Sequence, residues 1–182
     1  MRSFVIFLFG LIVGLLVVAG FVWMKAPGMM IHEKPSPVGL DETVERITRT
    51  AKADGWAVQS IIELEKSIKK NGGGDVKPIR LVNLCQAQHA FKLMSQDDIR
   101  PLSVFLPCTI SVYEKTDGKT YVASMNAELF GKLMGGLVAE VMGEEVAESQ
   151  EKFVNAVDLP TPAAPAEAPA PTDAPSETPE SE

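Results

Sequence analysis

Little in this sequence advertises chemistry. Its 182 residues include two cysteines and two histidines. Two cysteines are too few for a disulfide scaffold, and two histidines leave few ways to build a His-based triad. There is no Walker loop, no Gly-x-Gly-x-x-Gly, no His-Glu-x-x-His and no Cys-x-x-Cys. The run Gly72–Gly74 lacks the convincing preceding strand that a phosphate loop requires. The net charge is −7 and no dense Lys/Arg run exists, which argues against nucleic-acid binding. Acid is missing from residues 1–25, which hold only Arg2 and Lys25 as charges. Base and aromatics are missing from residues 160–182, which hold Glu167, Asp173, Glu177, Glu180 and Glu182. That leaves a mildly acidic middle of about 130 residues, enough for one hydrophobic core.

What is present first is a long apolar run. Phe4 to Met24 carries no charge. As a helix it spans roughly 30 Å, the thickness of a bilayer's hydrocarbon core. Arg2 precedes it, Trp23 stands at an interfacial position and Lys25 follows. We read residues 1–28 as an uncleaved signal anchor. The rival is a cleaved signal peptide, with Val17-Val18-Ala19 as a weak cleavage site. Against it, Phe21-Val22-Trp23-Met24 continue the apolar run past the cut. The positive-inside rule is nearly silent here. A span so close to the N-terminus, with a short positive head, is expected to leave the folded part outside the cytoplasm. Gly10-x-x-x-Gly14 has the spacing of a helix-pairing face, a weak signal in an apolar run.

At the other end, residues 159–182 read as a disordered tail rich in Pro, Ala and acids. Seven of the chain's 13 prolines lie there, at 160, 162, 165, 169, 171, 175 and 179. Such a segment cannot offset its ordering entropy by burial. It is expected to be an extended spacer reaching up to about 70 Å, at about 3.1 Å per residue. The sharper alternative is a docking peptide for a partner or cell-wall material.

Between them, residues 29–158 read as one α+β domain. Met29 to Glu33 is a predicted strand, followed by the turn Pro35-Ser36-Pro37. Asp41 is the expected N-cap of a helix whose inner face is Val44, Ile47 and Ala51, and Gly55 is its stop. Trp56 to Leu64 is a strand candidate, and a short charged helical stretch runs through Lys70. Pro78 to Cys85 is a strand with Ile79, Leu81, Asn83 and Cys85 on one face. Gln86 to Ser95 is a helix with Ala87, Ala90, Phe91 and Met94 inward. Leu102 to Glu114 is a strand, with Pro107 marking an edge, a bulge or a start. Asp117-Gly118 is a hairpin signal joining it to Thr120–Met125. Asn126 caps a long helix with stripes Leu129, Leu133, Leu137, Val141 and Phe130, Met134, Val138, Met142, interrupted at Gly135-Gly136. The predicted order is β-α-β-β-α-β-β-α: a mixed or antiparallel sheet of about five strands with helices on one face.

The residues that can carry chemistry are Cys85, His89 and Cys108. Cys85 stands where a strand hands over to a helix, so its sulfur is expected to face unpaired amides that favour thiolate. His89 lies four residues on, on the same helix face. The pair suits a soft metal or a nucleophile–base couple. Cys108 follows Pro107 in register with Ile110 and Val112, pointing at the core. Three readings stay open: a structural disulfide, two buried cysteines acting as small hydrophobes, and a functional thiol or metal site. His32, near the end of the apolar run, reads as a solvated strand residue. Glu144, Glu145, Glu148 and Glu151 read as a wet helix face rather than a metal site.

The middle region resembles the domain-of-unknown-function 302 family of bacteria and archaea, in a cysteine-containing branch. The resemblance rests on Ser36-Pro37 with Glu42-Thr43-Val44-Glu45, on Gly55-Trp56, and on Cys85 followed by Ala90. It rests further on Leu106-Pro107-Cys108, on Val112-Tyr113-Glu114 leading to Asp117-Gly118-Lys119, and on the run from Met125-Asn126 through Gly135-Gly136 to Val141-Met142-Gly143. Many members carry Asn-Pro after the first cysteine, where this chain has Gln86-Ala87. The resemblance implies a compact α+β domain, dimeric and often extracytoplasmic, with no established enzyme activity. The leading functional expectation is therefore a membrane-anchored extracytoplasmic domain binding a small ligand or soft metal ion near Cys85, His89 and Cys108. The alternatives are a non-catalytic homodimeric interaction module and a thiol-dependent redox enzyme using Cys85 with His89 as base.

Overall fold

A computed structural model of the chain describes residues 2–159; within its first helix, side chains are described only in part. The expected tail from Pro160 onward lies outside the described residues. The elements run α1 (Arg2–Met29), β1 (Ile31–Pro35), α2 (Leu40–Ala53), β2 (Ala57–Glu63), α3 (Leu64–Lys70), β3 (Ile79–Cys85) and α4 (Ala87–Met94). A 3-10 turn (Arg100–Phe105) leads to β4 (Cys108–Glu114) and β5 (Thr120–Met125). Helices α5 (Ala127–Met134) and α6 (Gly136–Glu140), a π-helix (Val141–Val146) and α7 (Ala147–Asn155) complete the domain.

The five strands form one sheet in the order β1-β5-β4-β3-β2. Every pairing is antiparallel, so the fold is α+β as the alternation of elements predicts. Register explains the core. Val82 pairs with Ile110, Leu84 with Cys108, and Val112 with Val122, and all six are buried on one face. Opposed β-branched and aliphatic residues are the pairs that stabilise such a ladder. Helices close this face with Ile47 and Ala51 of α2 and Phe153 of α7, each fully buried. The opposite face is more open: Asn83 accepts a hydrogen bond from Thr109 Oγ1 at 2.8 Å, and the rings of Tyr113 and Tyr121 stack at 6.2 Å.

Several local expectations need correction. Met29 belongs to α1, so β1 starts at Ile31 and continues to Pro35. The N-cap of α2 is Gly39 rather than Asp41, which sits in the first turn; Thr43 Oγ1 donates to Gly39 O at 2.7 Å and secures that end. Residues 102–105 are in the 3-10 turn, not a strand, because Pro101 starts a helical turn and the Phe105 ring packs 4.7 Å from that of Phe130. Pro107 thus immediately precedes a strand, after a cis peptide bond from Leu106. On α4 the buried residue is Leu93, while Phe91 is 73% exposed and Ala87 is exposed. The long helix after Asn126 breaks at Gly135 and Gly136, both at positive φ. Val138, Val141 and Met142 are buried beyond the break, and Leu133 and Met134 are left exposed before it.

Helix α1 occupies the apolar run, and its described large side chains are exposed. Among the described residues no helix is long and apolar enough to cross a membrane. The chain passes from α1 to β1 through one residue, Met30. Asn126 pins that junction: its backbone N–H donates to Met30 O at 2.8 Å and its side-chain Nδ2 to Met29 O at 2.9 Å. The same side chain caps α5 through Oδ1, which accepts from Leu129 N at 2.9 Å.

Candidate functional site

Cys85, His89 and Cys108, singled out for their residue types, line one small cavity. Strand β3 ends at Cys85 and strand β4 begins at Cys108, whose neighbour across the ladder is Leu84. The two cysteines therefore sit at the same end of adjacent strands, and α4 carries His89 over them. Trp56, at the entry to β2, and Met142, on the π-helix, close the other walls. The cavity holds about 20 Å³, room for a single water or ion.

Both cysteines are free thiols, so no disulfide links them. Cys108 is buried; its thiol is pushed up to about 11, first by burial and second by the neighbouring Cys85. Desolvation disfavours the thiolate, which makes Cys108 a proton-bearing group at neutral pH. Cys85 is half-buried. The expected amide environment of its sulfur is altered by Gln86. The Gln86 side chain caps α4, its Oε1 accepting from Gln88 N at 2.6 Å and His89 N at 3.1 Å. Those amides serve the cap instead of the thiol.

His89 is held from behind. Its Nδ1 lies 2.6 Å from Glu145 Oε2. Both atoms are buried. Glu145 Oε1 is 2.7 Å from Lys92 Nζ, and this bond holds the Glu145 carboxyl below its ordinary range, against the opposing effect of burial. A carboxylate at Nδ1 keeps the proton there and leaves Nε2 as a lone-pair donor, the tautomer a metal ligand needs. The Trp56 ring stands 5.8 Å from the imidazole, tilted by 56°.

Sequence reasoning placed Glu145 on a wet helix face with Glu144, Glu148 and Glu151. The structure turns Glu145 inward and leaves the other three lining a separate, larger cavity, together with the exposed His32. No local pattern marks that difference, since Glu145 meets His89 and Lys92 only through the packing of the π-helix on α4. Met142 also entered the reading as a core residue alone. Among the described residues no group of three or more His, Cys, Asp or Glu is placed to hold a metal ion. Any ion here would therefore need a low coordination number or the Met142 thioether.

No curated protein matches the chain. A solved structure does: the crystal structure of an uncharacterized conserved protein DUF302 from Bacillus stearothermophilus. It is 18% identical, with a TM-score of 0.62, over 71% of this chain and 98% of that one. At that identity the likeness shows the fold alone. The family model for the domain of unknown function DUF302 matches residues 32–158, which begins one residue into β1 and ends after α7. The five-stranded sheet, its helical cover and the thiol cavity all lie within that match, and the chain belongs to the DUF302 family.

Proposed function

We propose that this protein is a membrane-anchored, extracytoplasmic binding domain that takes a single soft metal ion, copper(I), in the cavity between Cys85 and Cys108. One observation carries the reading: two free thiols, a thioether and an imidazole all line a space the size of one ion. Thiolate and thioether donors select copper(I) over harder cations. The Glu145 carboxylate supports the imidazole as an outer-shell partner does in metal sites. Binding displaces the thiol protons, so affinity rises with pH.

The anchor is supported by the uncharged run from Phe4 to Met24 within a helix that extends from Arg2 to Met29. A homodimer is supported by exposed apolar side chains on neighbouring elements: Phe91 on α4, Val104 on the 3-10 turn, and Leu133 and Met134 on α5. The Pro-rich tail from Pro160 acts as a spacer.

The test is titration of the full chain, in detergent and under reducing conditions, with copper(I) against a coloured chelator, and with zinc in parallel. One copper(I) per chain is expected, lost in the Cys85→Ser, Cys108→Ser double variant. No binding by the wild type, or equal binding by the double variant, overturns the metal site. A reporter active only outside the cytoplasm, fused after Glu182, tests the orientation; an inactive fusion overturns it.

A further inference from the structure

The sheet has two edges, β1 and β2, and they are built differently. An edge strand presents a row of unpaired N–H and C=O groups, which recruits another strand unless charge or proline blocks it. β1 is blocked. It reads Ile-His-Glu-Lys-Pro, its Glu33 lies 2.7 Å from Lys115 Nζ, and Pro35 has no N–H to offer. β2 carries no such guard. From Ala57 to Ile62 it has no charge, no proline and no glycine. Its first charge, Glu63, is already engaged by Lys66 at 2.5 Å and Arg80 at 3.3 Å. Among the described residues no backbone hydrogen bond joins β2 to any element but β3.

The side chains supply a second observation. Ile61 pairs with the buried Val82 and stands on the helical side of the sheet, while Ile62 pairs with Leu81 on the opposite side. The two are 46% and 40% exposed. A water-facing antiparallel strand alternates apolar-in with polar-out. β2 instead shows solvent an aliphatic side chain on each face.

The strand is complementary to itself. A two-fold axis at Ile61 sets it opposite the partner's Ile61, Ser60 opposite the partner's Ile62, and Gln59 opposite the partner's Glu63. Ser60 and Ile62 share one side of the sheet, so this register matches the pleat. No like charges meet, and the bulge between Val58 and Ser60 lies outside the regular stretch. The chain's own tail cannot supply the strand, because seven of its 23 residues are prolines without an N–H. With β1 blocked, each chain offers one edge, and the pairing closes at two copies instead of running on as a fibre.

We propose that β2 is a dimerisation edge, along which two copies of this chain pair antiparallel into one ten-stranded sheet. The contact lies on different elements from the apolar patch of α4 and α5 and is tested apart from it.

The probe is Ile61→Cys in a Cys85→Ser, Cys108→Ser background, on the full chain in non-ionic detergent. Directly opposed positions of an antiparallel pair are close enough for a disulfide. Oxidised glutathione should link Ile61→Cys chains into covalent dimers at least about tenfold faster than chains carrying Lys119→Cys, at an exposed position of the β4–β5 turn. Ile61→Lys sets like charges opposite each other and should raise the dissociation constant in sedimentation equilibrium at least about tenfold, with circular dichroism confirming a folded chain. The Phe91→Ser, Leu133→Ser variant reads the helical patch and should leave the Ile61→Cys cross-link in place. Equal cross-linking at positions 61 and 119, a dissociation constant unmoved by Ile61→Lys, or loss of the cross-link in the patch variant overturns the inference.

Discussion

His89 Nδ1 and Glu145 Oε2 form a buried pair at 2.6 Å, one on α4 and the other on the π-helix. The contact ties two segments far apart in the chain to the wall of the thiol cavity. Glu145→Ala leaves the Nδ1 atom buried with no partner, and unfolding in urea should show a loss of about 1–3 kcal/mol. If the imidazole is a ligand, copper(I) affinity falls about 10- to 100-fold in the same variant. A variant as stable as wild type would show that the pair contributes nothing.

Acid should weaken the fold in a definite window. Glu145 is depressed by its bond to Lys92, and Asp54 by its bond to Lys152, aided by Ser149 Oγ at 3.1 Å. A carboxyl with a lowered folded value contributes fully above its unfolded value, 4.5 for Glu and 3.8 for Asp. That contribution shrinks as pH falls below those values and is gone once pH drops through the folded ones. Melting temperatures measured from pH 7 to pH 2 should therefore stay level to about pH 5 and then decline. The Glu145→Gln, Asp54→Asn double variant should show a shallower decline.

Thiol reactivity should separate the two cysteines. With its thiol at about 11, Cys108 is ionised at pH 8 only to about one part in a thousand, and it is buried as well. Iodoacetamide at pH 8 should modify Cys108 at least about a hundredfold more slowly than an unperturbed thiol, and the difference should vanish in 8 M urea. Mass spectrometry of the two cysteine peptides reads this directly. Rapid alkylation of Cys108 in the native protein contradicts its burial.

The crossing of α5 with the π-helix depends on two glycines. A Cβ on Gly131 would stand 2.5 Å from Gly143 N and 2.6 Å from Gly143 Cα, contacts with backbone that cannot rotate away. Gly131→Ala should destabilise by about 1–3 kcal/mol. Leu133→Ala, at a side chain 66% exposed on the same helix, should change stability by no more than about 0.5 kcal/mol. Equal effects of the two would mean that the helices separate without cost.

What could be read from the sequence was what is decided locally. The Asp117-Gly118 turn closes the β4–β5 hairpin with Gly118 at φ 75°, and Asn126 caps α5, because both depend on residues a few positions apart. The inner face of α2 was legible from its spacing alone. Residues 102–105 misled because Leu-Ser-Val-Phe has strand character, while the outcome was settled by Pro101 and by the distant ring of Phe130. The three candidate residues that line the thiol cavity were legible through scarcity: a chain with so few cysteines and histidines offers few combinations. Glu145 was not, since four glutamates in one stretch look alike until the π-helix turns one of them toward α4. Nor was the larger cavity, whose lining residues belong to segments with no sequence relation to each other.

The single residue between α1 and β1 has a mechanical consequence. The chain joins α1 to β1 through the single residue Met30, and at that joint Asn126 holds the carbonyls of both Met29 and Met30. His32, Lys34, Ser124 and Met125, which line the larger cavity, lie within a few residues of that joint. One residue thus fastens the end of α1, the edge of the sheet and the first turn of α5 together.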